Sequence, residues 1–147
     1  QAAYQFYPTA TNKKLLGHAH FDFATKQSDL AEELQANQAF DELIEIQADM
    51  LYHCRKAAKY TTLYNWQQEF FINTLINRAV ALSKTLDQLE SAVAQLKQYE
   101  EVLVNLNEAS EQIDQLPEST FKAYARQSCD TFLAITKENM ALLKTDK

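Results

Sequence analysis

The stretch LINRAVALSKTLDQLESAVAQL, Leu75–Leu96, decides the fold class. Its Leu75, Ala79, Leu82, Leu86, Leu89, Val93 and Leu96 alternate steps of four and three residues. That spacing lays one apolar seam along a helix and turns it toward a partner helix. Around this core, the 55 residues from Thr62 to Leu116 contain neither glycine nor proline. The whole chain has one glycine, Gly17, and two prolines, Pro8 and Pro117, so it is poor in the residues that make tight turns and strand bulges. A long-helix, all-α protein follows.

Working outward from the seam, a helix beginning near Thr61 and Thr62 would open with Tyr64, Trp66, Phe70 and Phe71 and then enter the heptads. After Leu96 the spacing slips to Tyr99, Leu103 and Leu106, a three-residue stammer that overwinds a coiled coil. Asn105 and Asn107 are mediocre helix formers. A break or kink is therefore expected at 104–108; unbroken, the helix would be about 80 Å long. Pro117 ends the element, and a last helix over about 118–144 would bury Phe121, Tyr124, Ala125, Phe132, Leu133, Ile135, Met140 and Leu143.

Upstream, Ser28 with Asp29 and Glu32 behind it reads as an N-cap for a first long helix reaching Lys59 or Tyr60. Leu30, Leu34, Phe40, Leu43, Ile44, Met50, Leu51 and Cys54 form its apolar face. Short connections between long helices imply antiparallel neighbours. The expected architecture is an up-and-down antiparallel bundle of three to four long helices with coiled-coil character over residues 28–147. Residues 1–27 stand apart. They hold Pro8, Gly17 and five aromatics (Tyr4, Phe6, Tyr7, Phe21, Phe23), and read as an irregular arm or short helix packed onto the bundle. An aromatic arm that docks a partner is the functional alternative.

A chain of 147 residues with 46% hydrophobic residues is one domain able to bury its own core. No apolar run approaches the ~18 residues that cross a bilayer. The net charge is −6, and residues 28–53 carry seven acids without a lysine or arginine before Arg55, Lys56 and Lys59 follow. This polarity complements a helix dipole. It also disfavours nucleic acid and anionic lipid as partners, since both require clustered basic residues. The start at Gln1 rather than methionine means either that a leader has been removed or that the sequence begins inside a longer chain, with a lean toward an exported or periplasmic protein. Cys54 and Cys129 leave two options: a disulfide, suited to an oxidising compartment, or two buried free thiols, suited to the cytoplasm.

Chemistry is thinly represented. The histidines are His18, His20 and His53, the first two read as loop residues and the third as a helix-edge residue. No paired Glu-x-x-His motif accompanies them, so neither a metal nor a cofactor is expected. With no glycine-rich turn to expose a nucleophile or cradle phosphate, no enzyme is expected either. The segment His53-Cys54-Arg55-Lys56-Ala57 resembles the His-x-x-Lys-Gly core of histidine phosphotransfer domains, which are helical bundles of similar size. Ala57 departs from that pattern, standing where those domains carry glycine. The resemblance implies His53 as phosphoacceptor. Tyr64, Trp66, Phe70 and Phe71 either cap the core or wall a small-ligand pocket between helices.

Three functions are weighed. The first is a non-enzymatic bundle that binds a protein partner or itself: adaptor, chaperone, secretion-system component or self-associating scaffold. The second is an exported small-ligand-sensing bundle of a receptor, and the third is phosphotransfer through His53.

Overall fold

In a computed structural model, which describes residues 10–145, every regular element is helical. In chain order these are α1 (Ala10–Lys26), α2 (Ser28–Ala36), α3 (Phe40–Tyr60), α4 (Asn65–Lys84), a single 3-10 turn (Leu86–Gln88), α5 (Ala92–Gln115) and α6 (Thr120–Thr145). No described helix is long and apolar enough to cross a membrane.

The heptad stretch does not form one helix. The chain breaks at 85–91, inside the seam, while α5 runs unbroken through 104–108. Side chains make the turn that no glycine or proline marks. The Thr85 hydroxyl donates to the Leu82 carbonyl at 3.0 Å, and Gln98 Nε2 donates to the same carbonyl at 2.7 Å. These bonds reinforce an end-of-helix acceptor whose backbone partner, the Thr85 N–H, is 3.3 Å away. Ser91 then caps α5 by accepting from Ala94 N at 3.1 Å. The seven seam residues consequently part company. Leu75, Ala79, Leu82 and Leu86 are buried, whereas Val93 is 72% exposed. Asn105, expected to weaken the helix, is buried within it and donates to Glu101 O at 2.8 Å.

The first long helix is also divided. α2 ends in a Schellman turn: Ala39 N donates to Leu34 O at 2.9 Å and Gln38 N to Gln35 O at 3.0 Å. Gln38 takes the left-handed position, φ 57°, that glycine usually fills. Ser28 begins α2 but does not cap it, because its hydroxyl donates back to Thr25 O at 2.8 Å. Pro117 stays in the linker before α6, whose first turn is capped by Ser119 accepting from Lys122 N at 3.0 Å.

Residues 10–26, read as an arm or short helix, form the 17-residue α1, which buries Gly17, Phe21 and Ala24. Their spacing of four and three keeps them on one side. Gly17 is required by close approach: a Cβ there would lie 2.6 Å from Thr61 Cγ2 and 3.3 Å from the Ala57 carbonyl. The aromatics Tyr4, Phe6 and Tyr7 lie outside the described residues.

Helix packing follows chain order, with α1 and α2 on α3, α3 on α4, α4 on α5 and α5 on α6. One core runs through them. Phe21, Leu51, Ile72, Leu75, Val102, Leu106, Ile113 and Cys129 are almost fully buried in it. Each large apolar side chain so buried contributes on the order of 1.5–3 kcal/mol. Arg55 on α3 grips Glu108 on α5 through two bonds of 3.0 and 2.7 Å. Arg78 on α4 reaches Glu101 on α5 at 3.1 Å and the Ile44 carbonyl on α3.

Candidate functional site

The close approach at Gly17 brings His20, one turn along α1, against His53 in the middle of α3. Their Nδ1 atoms lie 2.8 Å apart. A neutral imidazole offers one donor and one acceptor, so one ring donates Nδ1–H while the other presents a lone pair. A second proton would place two N–H groups face to face. The rings sit among aromatics: Phe23 stacks on His53 with centroids 5.3 Å apart, Tyr60 stacks on His20 at 6.2 Å, and Tyr52 meets both edge-on. Burial holds the His20 pKa below its usual value, and the positive charges of His53 and Lys56 lower it further. Asp49, one turn before His53, places Oδ1 3.8 Å from His53 Nε2.

His18 and His20 are thus helical rather than loop residues, and the pairing of His20 with His53 was missed. The signal available was the Gly17, Phe21, Ala24 spacing, which makes residues 10–26 a helix and sets His20 beside its buried stripe. His53 has its Nδ1 engaged by His20, and Lys56 extends over the Tyr52 ring, 5.6 Å from its centroid. Among the described residues, no group of three or more His, Cys, Asp or Glu side chains is arranged to hold a metal ion.

The aromatic set at the start of α4 is divided rather than gathered. Phe71 is buried, and Phe70 packs edge-on against Phe21 at 5.4 Å. Trp66, 58% exposed, meets Phe21 at right angles with centroids 5.4 Å apart. Tyr64 turns away to stack on His18 at 6.4 Å. Phe71 lines a depression of about 330 Å³ with Thr61, Leu63, Gln68 and Gln112, while Phe70 lines a separate one. Phe21 therefore plugs this end of the core, and among the described residues Phe70 and Phe71 line different depressions.

The disulfide considered between Cys54 and Cys129 is not formed. Both are free, buried thiols, and Cys129 Sγ donates to the Leu106 carbonyl at 3.3 Å. Burial pushes the Cys54 pKa up to about 12 and raises that of Cys129.

One surface stands out on α6. Ala125, Cys129, Thr136 and Met140 point inward, yet Tyr124, Ile135 and Leu142 are 69%, 48% and 58% exposed. At 100° per residue these three fall within about 20° of one another around the helix. Tyr124, Ser128, Thr131, Phe132 and Ile135 border an open depression of about 350 Å³ that contains no charged side chain.

No family model, curated protein or solved structure matches this chain. Geometry alone carries the functional reading.

Proposed function

We propose that this chain is a non-enzymatic helical bundle that works by binding protein, with α6 as the docking helix. The observation that carries the reading is the stripe of Tyr124, Ile135 and Leu142, large apolar side chains exposed along one side of α6. Large apolar side chains aligned on one exposed side of a helix mark interaction sites more often than apolar residues scattered singly do. An amphipathic partner helix, a second copy of this chain included, would lay its own apolar face along that stripe. Adaptor, chaperone, secretion-system component and self-associating scaffold are all roles for such a surface.

The bundle reading extends to the order of its helices. Arg78 meets Glu101 while Leu82 meets Gln98, so number rises on α4 as it falls on α5. Leu106 with Cys129 and Ser110 with Arg126 repeat the relation between α5 and α6. His20 with His53, and Gln27 just past the end of α1 with Asp49, repeat it between α1 and α3. These pairs favour an antiparallel up-and-down arrangement.

The test is a photo-cross-linking residue placed at Ile135, compared with one at the exposed polar position Glu42. The reading expects discrete adducts, with a second copy or with another protein, from position 135 alone. Absence of an adduct at 135, or equal adducts at both positions, would overturn it. Sedimentation of the Ile135→Asp variant against the parent then separates self-association from a heterologous partner.

A further inference from the structure

A second site lies away from α6, in a cleft where α2 and α4 face each other across α3. Gln47 of α3 lines it and is 3% exposed, and its Oε1 has no hydrogen-bond partner. An amide oxygen buried without a donor forfeits its hydrogen bond to water and gets nothing in return. The walls around it are polar. Glu32 and Gln35, three apart on α2, form one side, and Asn73 and Asn77, four apart on α4, form the other. Met50 adds an apolar patch.

We propose that this cleft binds a small polyhydroxylated molecule. Side-chain amides donate and accept in one plane, which suits hydroxyl groups that also do both. A hydroxyl hydrogen supplies the donor that Gln47 Oε1 lacks, and carbon-bound faces of the ligand rest on Met50. The only formal charge on the lining is Glu32, which is exposed, so a neutral ligand is favoured over an ion. The volume is about 210 Å³, room for a small ligand in a cleft that opens to solvent. The inference does not depend on the α6 reading, because no α6 residue lines the cleft.

The experiment is a titration of the full chain with glycerol, erythritol and glucose, followed through the side-chain amide signals of Gln35, Gln47, Asn73 and Asn77. Saturable shifts with at least one polyol are expected, and Gln47→Leu should weaken them about tenfold, the effect of losing one buried hydrogen bond. Asn77→Ala, altering an exposed rim residue, should weaken them without disturbing the fold. Shifts that do not saturate by about 50 mM mean that the cleft holds ordered water only, and overturn the proposal. Equal shifts in the Gln47→Leu protein would overturn it too, as would saturation by ethanolamine and by none of the polyols.

Discussion

His20 and His53 meet Nδ1 to Nδ1 at 2.8 Å, joining α1 to α3 through a single shared proton. This contact makes the attachment of α1 sensitive to acid. His20 is held below its ordinary pKa of 6.5, so the unfolded chain binds the proton more readily than the folded one. The associated stability is complete above pH 6.5 and is lost as pH falls through the lower folded pKa. Groups near the pair are Lys56, which opposes its protonation, Asp49 at His53 Nε2, and the rings of Phe23, Tyr52 and Tyr60. Melting temperatures between pH 8 and 5 should fall on acidification, and less steeply in His20→Phe. Equal slopes in the two proteins would sink this account.

Gly17→Ala should destabilise the protein even though alanine is the better helix former by about 1 kcal/mol. The new methyl would enter at 2.6 Å from Thr61 Cγ2. Overpacking of this sort costs about 1–3 kcal/mol. Thr61→Ser removes the opposing methyl, so the double variant should regain much of the loss in urea denaturation. A Gly17→Ala protein more stable than the parent would refute the close approach.

Phe21→Ala removes the plug between Trp66 and Phe70 and should cost about 3–5 kcal/mol. Trp66 is the sole tryptophan, so its emission reports the same change directly. A red-shifted native spectrum together with a lower denaturation midpoint is expected; an unchanged spectrum counts against Phe21 as its packing partner.

Cys54 and Cys129 should resist a disulfide reagent at pH 8 until the protein unfolds. The thiolate is the reactive species, and a pKa pushed up to about 12 at Cys54 leaves almost none. Both thiols should titrate together in denaturant. Fast reaction of either in the native protein would contradict their burial.

Gln38→Gly should stabilise the α2–α3 turn. Gln38 sits at φ 57°, which costs a residue bearing a Cβ about 1–2 kcal/mol and glycine little. Part of the gain returns as unfolded-state entropy, leaving a net of roughly 0.5–1 kcal/mol in urea denaturation. A loss of stability would mean that this turn is not left-handed.

The sequence by itself determined that the chain is helical and that a helix ends near Lys59 or Tyr60; in α6 it placed Ala125, Cys129 and Met140 inward, but also Tyr124 and Ile135, which are exposed. Helical periodicity is local, and residues a few positions apart share a face whatever lies opposite. It did not determine where the long apolar seam stops. Leu86 and Val93 continue the heptad rhythm by spacing, yet the helix breaks between them, where the Thr85 and Gln98 side chains both donate to the Leu82 carbonyl. Gln98 reaches that acceptor from the following helix, so no local pattern contains the instruction. The same holds for Gln38, whose left-handed turn carries none of the glycine signal that usually announces it. The candidate sites were least legible of all. His20 meets His53, and Gln47 faces Asn73 and Asn77, across tens of residues of chain. Such juxtapositions are set by how helix surfaces dock, and in α1 that docking turns on the absence of one methyl group at Gly17.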